Sequence, residues 1–233
     1  MFIRKLLFSI LLIFLLSGCI QYEETIHIFP SGWVRVSIDL RAPATIFRQM
    51  VARGGSKFFK LLMQPRHRVI NQLPSSVQLM EWYLDKSTAN WHFHTNFYVK
   101  SSSAGQLSGL FEGQKINISI SNGNVNFRRF IDMTRFGRII ANLKQSPLIK
   151  RELLLASHFR FRIVVPTRII STNATVTTED TAEWDFKLLD LVAQPQVMKI
   201  TFPLPPFYYY PLFWLLYGLV SMVFYLWLLF KKL

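Results

Sequence analysis

Gln21-Tyr-Glu-Glu-Thr-Ile-His-Ile-Phe-Pro-Ser-Gly-Trp-Val-Arg-Val-Ser-Ile-Asp-Leu40 reads as two strands around a Pro30-Ser31-Gly32 turn, and it sets the fold class of the chain. The pattern repeats downstream. Segments 77–84 and 90–100 form a second expected hairpin around Lys86-Ser87-Thr88. Segments 115–121 and 125–130 flank Asn122-Gly123-Asn124, the strongest hairpin signal in the sequence. Segment 159–165 alternates Phe-Arg-Phe-Arg-Ile and reads as a strand. Segments 174–178 and 181–188 are expected to pair across Glu179-Asp180, and 196–202 is the closing strand. Helical spacing marks 42–64, with Pro43 in its first turn and a break at Gly54-Gly55. It also marks a helix carrying Phe136, Ile139, Ile140 and Leu143, and a short one over 148–157. The expected fold class is α+β, an antiparallel, β-rich domain of nine or ten strands and two or three helices.

The two ends differ from this body. Residues 1–18 join a basic start (Arg4, Lys5) to an apolar run over 6–16, broken only by Ser9 and too short to span a bilayer core of roughly 30 Å. Leu16-Ser17-Gly18-Cys19 follows, and it resembles the lipobox of bacterial lipoproteins. That resemblance implies a diacylglyceryl group on Cys19 and a mature chain that begins there. Cys19 is the only cysteine, so a disulfide framework and a cysteine-rich zinc site are excluded. At the other end, 207–230 contains no charge and is long enough to cross a membrane as a helix. Tyr208, Tyr209, Tyr210 and Trp214 suit an interfacial belt, and Lys231 and Lys232 in the 231–233 tail suit the cytoplasmic side. Both anchors place 19–203 on the extracytoplasmic side of the cytoplasmic membrane, with 204–206 as a proline-rich linker.

The 233 residues carry a formal charge of +14, with 51% apolar residues. Segment 20–206 holds all 13 acidic residues and 23 of the 27 basic ones. The basic residues cluster. Segment 40–80 has seven and no acid, and 125–168 has ten against Asp132 and Glu152. Nucleic acid suits the charge but not the compartment. An anionic lipid surface suits both, and each basic residue near it contributes about 1 kcal/mol. The candidate surface or ligand residues are Arg128, Arg129, Arg135 and Arg138, with Arg160 and Arg162 alternating with Phe159 and Phe161. Arg128 and Arg129 are neighbours on a strand, so only one of them can share a direction with the helix.

His92 and His94 point to one side of a strand, at metal-ligand spacing, with no third ligand nearby in sequence; the solvent face of an amphipathic strand is the simpler reading. The chain has no G-x-S-x-G, G-x-x-x-x-G-K-[ST] or G-x-G-x-x-G, and no paired carboxylates at a recognisable spacing. No catalytic residue, metal or cofactor is expected.

Three segments resemble the LppM-type domain of bacterial lipoproteins: Tyr22–Trp33, Arg162-Ile-Val-Val-Pro-Thr-Arg-Ile-Ile-Ser-Thr-Asn173, and Thr181-Ala-Glu-Trp184. In that family a strand ends in a P-G-x-[IV]-x-x-[ST]-N turn and a T-x-x-W strand follows; Thr167 stands where glycine is usual. The resemblance covers about 180 residues. It implies a small α+β or β-barrel-like domain between a lipobox and a C-terminal membrane helix, with lipid or glycolipid as ligand and no catalytic motif to carry over. A non-enzymatic, membrane-anchored lipoprotein binding lipid, glycolipid or an envelope protein is the leading expectation. A structural or assembly factor of the envelope, acting through protein contacts, is the alternative.

Overall fold

The Pro30-Ser31-Gly32 turn joins β1 (Gln21–Ile28) to β2 (Trp33–Pro43) in the expected antiparallel hairpin, closed by hydrogen bonds between Phe29 and Trp33 and between Gly32 and Phe29. The computed structural model describes residues 20–52, 64–86, 89–100, 114–142 and 147–206. The leader and Cys19, the Gly54-Gly55 break, the apolar segment 207–230 and the tail lie outside the described residues.

The other expected hairpins form too. β3 (Val77–Asp85) pairs with β4 (Asn90–Lys100), and β5 (Gln114–Ser121) with β6 (Asn124–Ile131). At the tip of β5–β6, Asn122 and Gly123 have φ of 50° and 72°. A type I′ turn needs positive φ at both central residues, and Asn-Gly supplies it at least cost. After α1 (Ala44–Ala52) and α2 (Arg66–Ile70), the chain forms these two hairpins, then α3 (Thr134–Ala141) and α4 (Pro147–Ala156). It continues through β7 (His158–Val164), β8 (Ser171–Thr172), β9 (Val176–Thr177), β10 (Thr181–Lys187), α5 (Leu188–Ala193) and β11 (Gln196–Pro203).

The strands form two sheets. Sheet A has the order β3-β4-β2-β1-β7-β10-β9, and sheet B the order β5-β6-β11-β8. The domain is therefore β-rich with few helices, but sheet A is mixed rather than antiparallel. β1 and β7 run parallel, Gln21 opposite His158 and His27 opposite Val164. Hairpin signals report neighbours in sequence, whereas this pairing joins strands 137 residues apart and needs α3 and α4 to return the chain to the start of β1. It is pinned there by the Ile20 N–H donating to Ser157 Oγ (2.9 Å) and the His158 N–H donating to the Ile20 carbonyl (3.0 Å).

Two further elements differ from the periodicity. β2 runs on to Pro43, opposite Asn90, so α1 begins at Ala44 rather than with proline in its first turn. α5 is a one-turn helix where the sequence shows only the end of a strand; its Leu188 and Leu191 are buried. It packs on α3 at Gly137, where an added Cβ would come within 2.9 Å of Val192 Cβ.

The core forms where the inner faces meet. Ile26, Ile28, Val36, Ile38, Phe93, Phe161 and Trp184 come from sheet A, and Phe127, Ile131, Ile200 and Phe202 from sheet B. Alternation along each strand, with period two, produces both faces.

Candidate functional site

Arg128 and Arg129 sit side by side on β6 and face opposite ways. Val125, Phe127, Arg129 and Ile131 point inward, while Asn126, Arg128 and Phe130 point outward. The apolar parity of the strand was readable in the sequence and puts Arg129 on the core side. Only 1% of its side chain is exposed, so Arg129, contrary to expectation, cannot touch a membrane surface.

Arg129 instead crosses to sheet A. Its Nη1 and Nη2 donate to Glu24 Oε1 (2.7 Å) and Oε2 (2.8 Å), and the Tyr22 hydroxyl donates to Oε2 (2.6 Å). The guanidinium also lies over the Phe161 ring, 5.1 Å from its centroid. Burial opposes the charge on Arg129. The Glu24 carboxylate and its hydrogen bonds, then Tyr22, outweigh burial and leave the Arg129 pKa raised. Burial, followed by the Glu24 charge, holds the Tyr22 hydroxyl well above the usual phenol range, against the opposing pull of Arg129. Planar guanidinium and planar carboxylate match bidentately, which is what lets a desolvated pair persist.

A second link between the sheets uses residues of the motif quoted above. Asn173 Oδ1 accepts from the Lys199 backbone N–H (2.8 Å) and from Trp184 Nε1 (3.2 Å), while Asn173 Nδ2 donates to the Val197 carbonyl (2.7 Å). The asparagine thus clips β10 of sheet A to β11 of sheet B. Thr167 Oγ1 donates to the Pro203 carbonyl (2.9 Å), a role that glycine at this position does not have.

The outer face of sheet A is polar and internally neutralised. Arg160 meets Glu183 (3.3 Å) and Glu23 (3.5 Å), and Arg162 meets Glu183 (2.8 Å). Both arginines are exposed as expected, but they alternate with carboxylates across the strands rather than forming a bare basic stripe. Further along, His92 Nε2 lies 2.6 Å from Asp39 Oδ2, and His94 Nε2 lies 3.1 Å from Glu81 Oε2. The imidazoles are thus engaged with carboxylates. Among the described residues, no group of three or more His, Cys, Asp or Glu is placed to hold a metal ion.

The outer face of sheet B differs. None of its four strands contains Asp or Glu. Arg128 stands directly opposite Lys199 on β11 and Asn117 on β5, and Lys115 pairs with Phe130 on the same face. Lys115, Arg128 and Lys199 are exposed. None of the three has a salt bridge to another described residue. Like charges directly opposite each other cost stability, so this face suits an anionic partner better than water alone. Lys199 escaped the sequence reading because the β6–β11 pairing joins strands about 70 residues apart; Lys115 lies on β5 of the expected β5–β6 hairpin, so its place on this face was legible from that hairpin's alternation. Arg138 is exposed on α3; the Arg135 side chain lies outside the described residues. At the start of α3, the Thr134 hydroxyl and N–H both donate to Asp132 Oδ1 and hold that carboxyl below its ordinary pKa, against a small opposing effect of burial.

Among the described residues, no helix is long and apolar enough to cross a membrane. No family model matches the chain, and no curated protein matches it by sequence. Among solved structures, the NMR structure of the folded domain of LppM from Mycobacterium tuberculosis is similar to it over 80% of this chain and 90% of that one, with 12% identity and a TM-score of 0.48.

Proposed function

We propose that the protein is a membrane-tethered lipoprotein whose β-rich domain, on the extracytoplasmic side, binds rather than catalyses, and docks on anionic lipid through the outer face of sheet B. The observation that carries the reading is the Arg128–Lys199 rung, two cations face to face on a sheet without a single carboxylate. Arg128 and the two lysines take over the part expected of the wider arginine set. Arg160 and Arg162 already have carboxylate partners, and Arg129 is internal. The leader ending in Cys19 and the apolar segment 207–230 support the tethering. Lipid phosphate satisfies both cations of the rung at once, and the uncharged neighbours on the face (Asn117, Ser119, Asn126, Thr201) carry no charge that opposes it.

The test is co-flotation of fragment 20–206 with vesicles. Binding to phosphatidylglycerol vesicles that weakens as salt shortens the Debye length supports the reading, and equal binding to neutral vesicles contradicts it.

A further inference from the structure

The two chain exits lie at opposite ends of the domain. Ile20 is 1% exposed and is tied to Ser157 and His158, so the chain is fixed to the domain up to Ile20, one residue after the proposed lipid site. At the other exit, the Pro203 carbonyl is held by Thr167, the Leu204 N–H donates to the Gly123 carbonyl (2.8 Å), and Pro205 is buried. The proline-rich linker 204–206 is therefore packed on the domain at Leu204 and Pro205.

The register gives the separation. Glu24 lies opposite Phe161, Phe161 opposite Trp184, and Trp184 bonds to Asn173, which bonds to Lys199. Glu24 and Lys199 thus share one level across the molecule. Ile20, the residue before β1, lies four residues below that level. Pro203 lies four residues above it on β11, beside Thr167 beyond the far end of β7. At about 3.3 Å per residue, the exits are roughly 25 Å apart along the strands.

We infer that the domain lies on its side on the lipid surface, strands parallel to the membrane plane, with the outer face of sheet B against the headgroups. The inference rests on the two-anchor reading above. A domain standing on its Pro203 end would hold Cys19 roughly 25 Å above the bilayer with no spare residue to reach down, and standing on its Ile20 end would lift Pro206 equally far. Lying down brings the Pro203 exit to the surface and the Ile20 exit, on the sheet behind, to within about one sheet spacing of it, roughly 10 Å. Of the faces then available, sheet B presents Lys115, Arg128 and Lys199 with no carboxylate, whereas sheet A presents Glu23, Glu183, Asp39 and Glu81 among its cations. An anionic surface attracts the first and gains little from the second, whose cations are already paired with carboxylates.

The experiment uses full-length protein in phosphatidylglycerol proteoliposomes with a nitroxide-headgroup lipid as quencher. A fluorophore is placed on an engineered cysteine at one of three exposed or half-buried outer-face positions: Asn117→Cys, Ser121→Cys or Ser37→Cys. Asn117 and Ser37 sit at a similar level on opposite sheets, because Asn117 pairs with Arg128 and Ser37 with Thr25. Asn117 and Ser121 are on one face, four residues apart along β5. The expected result is similar strong quenching at 117 and 121, and several-fold weaker quenching at 37. Quenching several-fold stronger at 121 than at 117, with 117 and 37 alike, means an upright domain and overturns the inference while leaving lipid docking intact. Quenching strongest at 37 overturns it equally. Quenching at none of the three overturns docking itself. Maleimide uptake by the parent chain marks Cys19 as a free thiol and overturns the two-anchor premise.

Discussion

Arg129 grips both oxygens of Glu24 across the interior, at 2.7 and 2.8 Å, and so fastens the two sheets to one another. Removing one partner strands the other charge in the core. Arg129→Met or Glu24→Leu alone is expected to cost about 3–5 kcal/mol in denaturant unfolding. The triple change Tyr22→Phe, Glu24→Leu, Arg129→Met leaves nothing stranded and is expected to recover most of that loss. A single variant that loses under about 1 kcal/mol would show that the pair is not desolvated in solution.

Acid sensitivity is expected from His27. Burial, then the Arg35 charge directly across β2, lowers its pKa, with Asp180 opposing. The folded state therefore binds the proton less readily than the unfolded chain. The stability from this group is present above the unfolded pKa of about 6.5 and is lost as pH falls through the lower folded value. His27→Gln should flatten the fall in Tm between about pH 7.5 and pH 5. An unchanged slope assigns the effect to other groups.

Asn173→Ala removes the acceptor shared by Trp184 and Lys199 and the donor to Val197. A loss of about 1–3 kcal/mol is expected, with a red shift in tryptophan emission as the Trp184 environment opens. Normal stability and unchanged emission would mean that Asn173 is not a link between the sheets.

Cys19→Ala is expected to abolish metabolic labelling by a fatty-acid analogue and to leave the unprocessed precursor. Labelling that persists in this variant removes the lipid anchor from the account.

What could be read in the sequence follows from how local each signal is. The turns at Pro30-Ser31-Gly32 and Asn122-Gly123 announce hairpins because their backbone preferences are local, and all three principal hairpins form. The parallel β1–β7 contact depends on a chain return through two helices, which no local pattern encodes. Parity along β6 shows that Arg128 and Arg129 diverge, and the apolar residues at 125, 127 and 131 show which one turns inward. The partner of Arg129 is different: Glu24 lies 105 residues away, and only the stacking of the two sheets brings it close. The rung of Arg128 and Lys199 was hidden for the same reason. The basic clusters along the chain also overstated the free charge, because Arg160 and Arg162 meet Glu183 across β10.

The most direct measurement compares two charge-neutralised pairs in fragment 20–206, each checked by circular dichroism for an unchanged fold. Arg128→Gln with Lys199→Gln removes two cations at about 1 kcal/mol each, so affinity for phosphatidylglycerol vesicles at low salt should fall by about 30-fold. Arg160→Gln with Arg162→Gln removes cations already paired with carboxylates and leaves Glu183 unopposed; loss of the Arg128–Lys199 rung should therefore weaken binding several-fold more than loss of this pair. Equal losses for the two pairs, or the larger loss from Arg160 and Arg162, would contradict docking through sheet B.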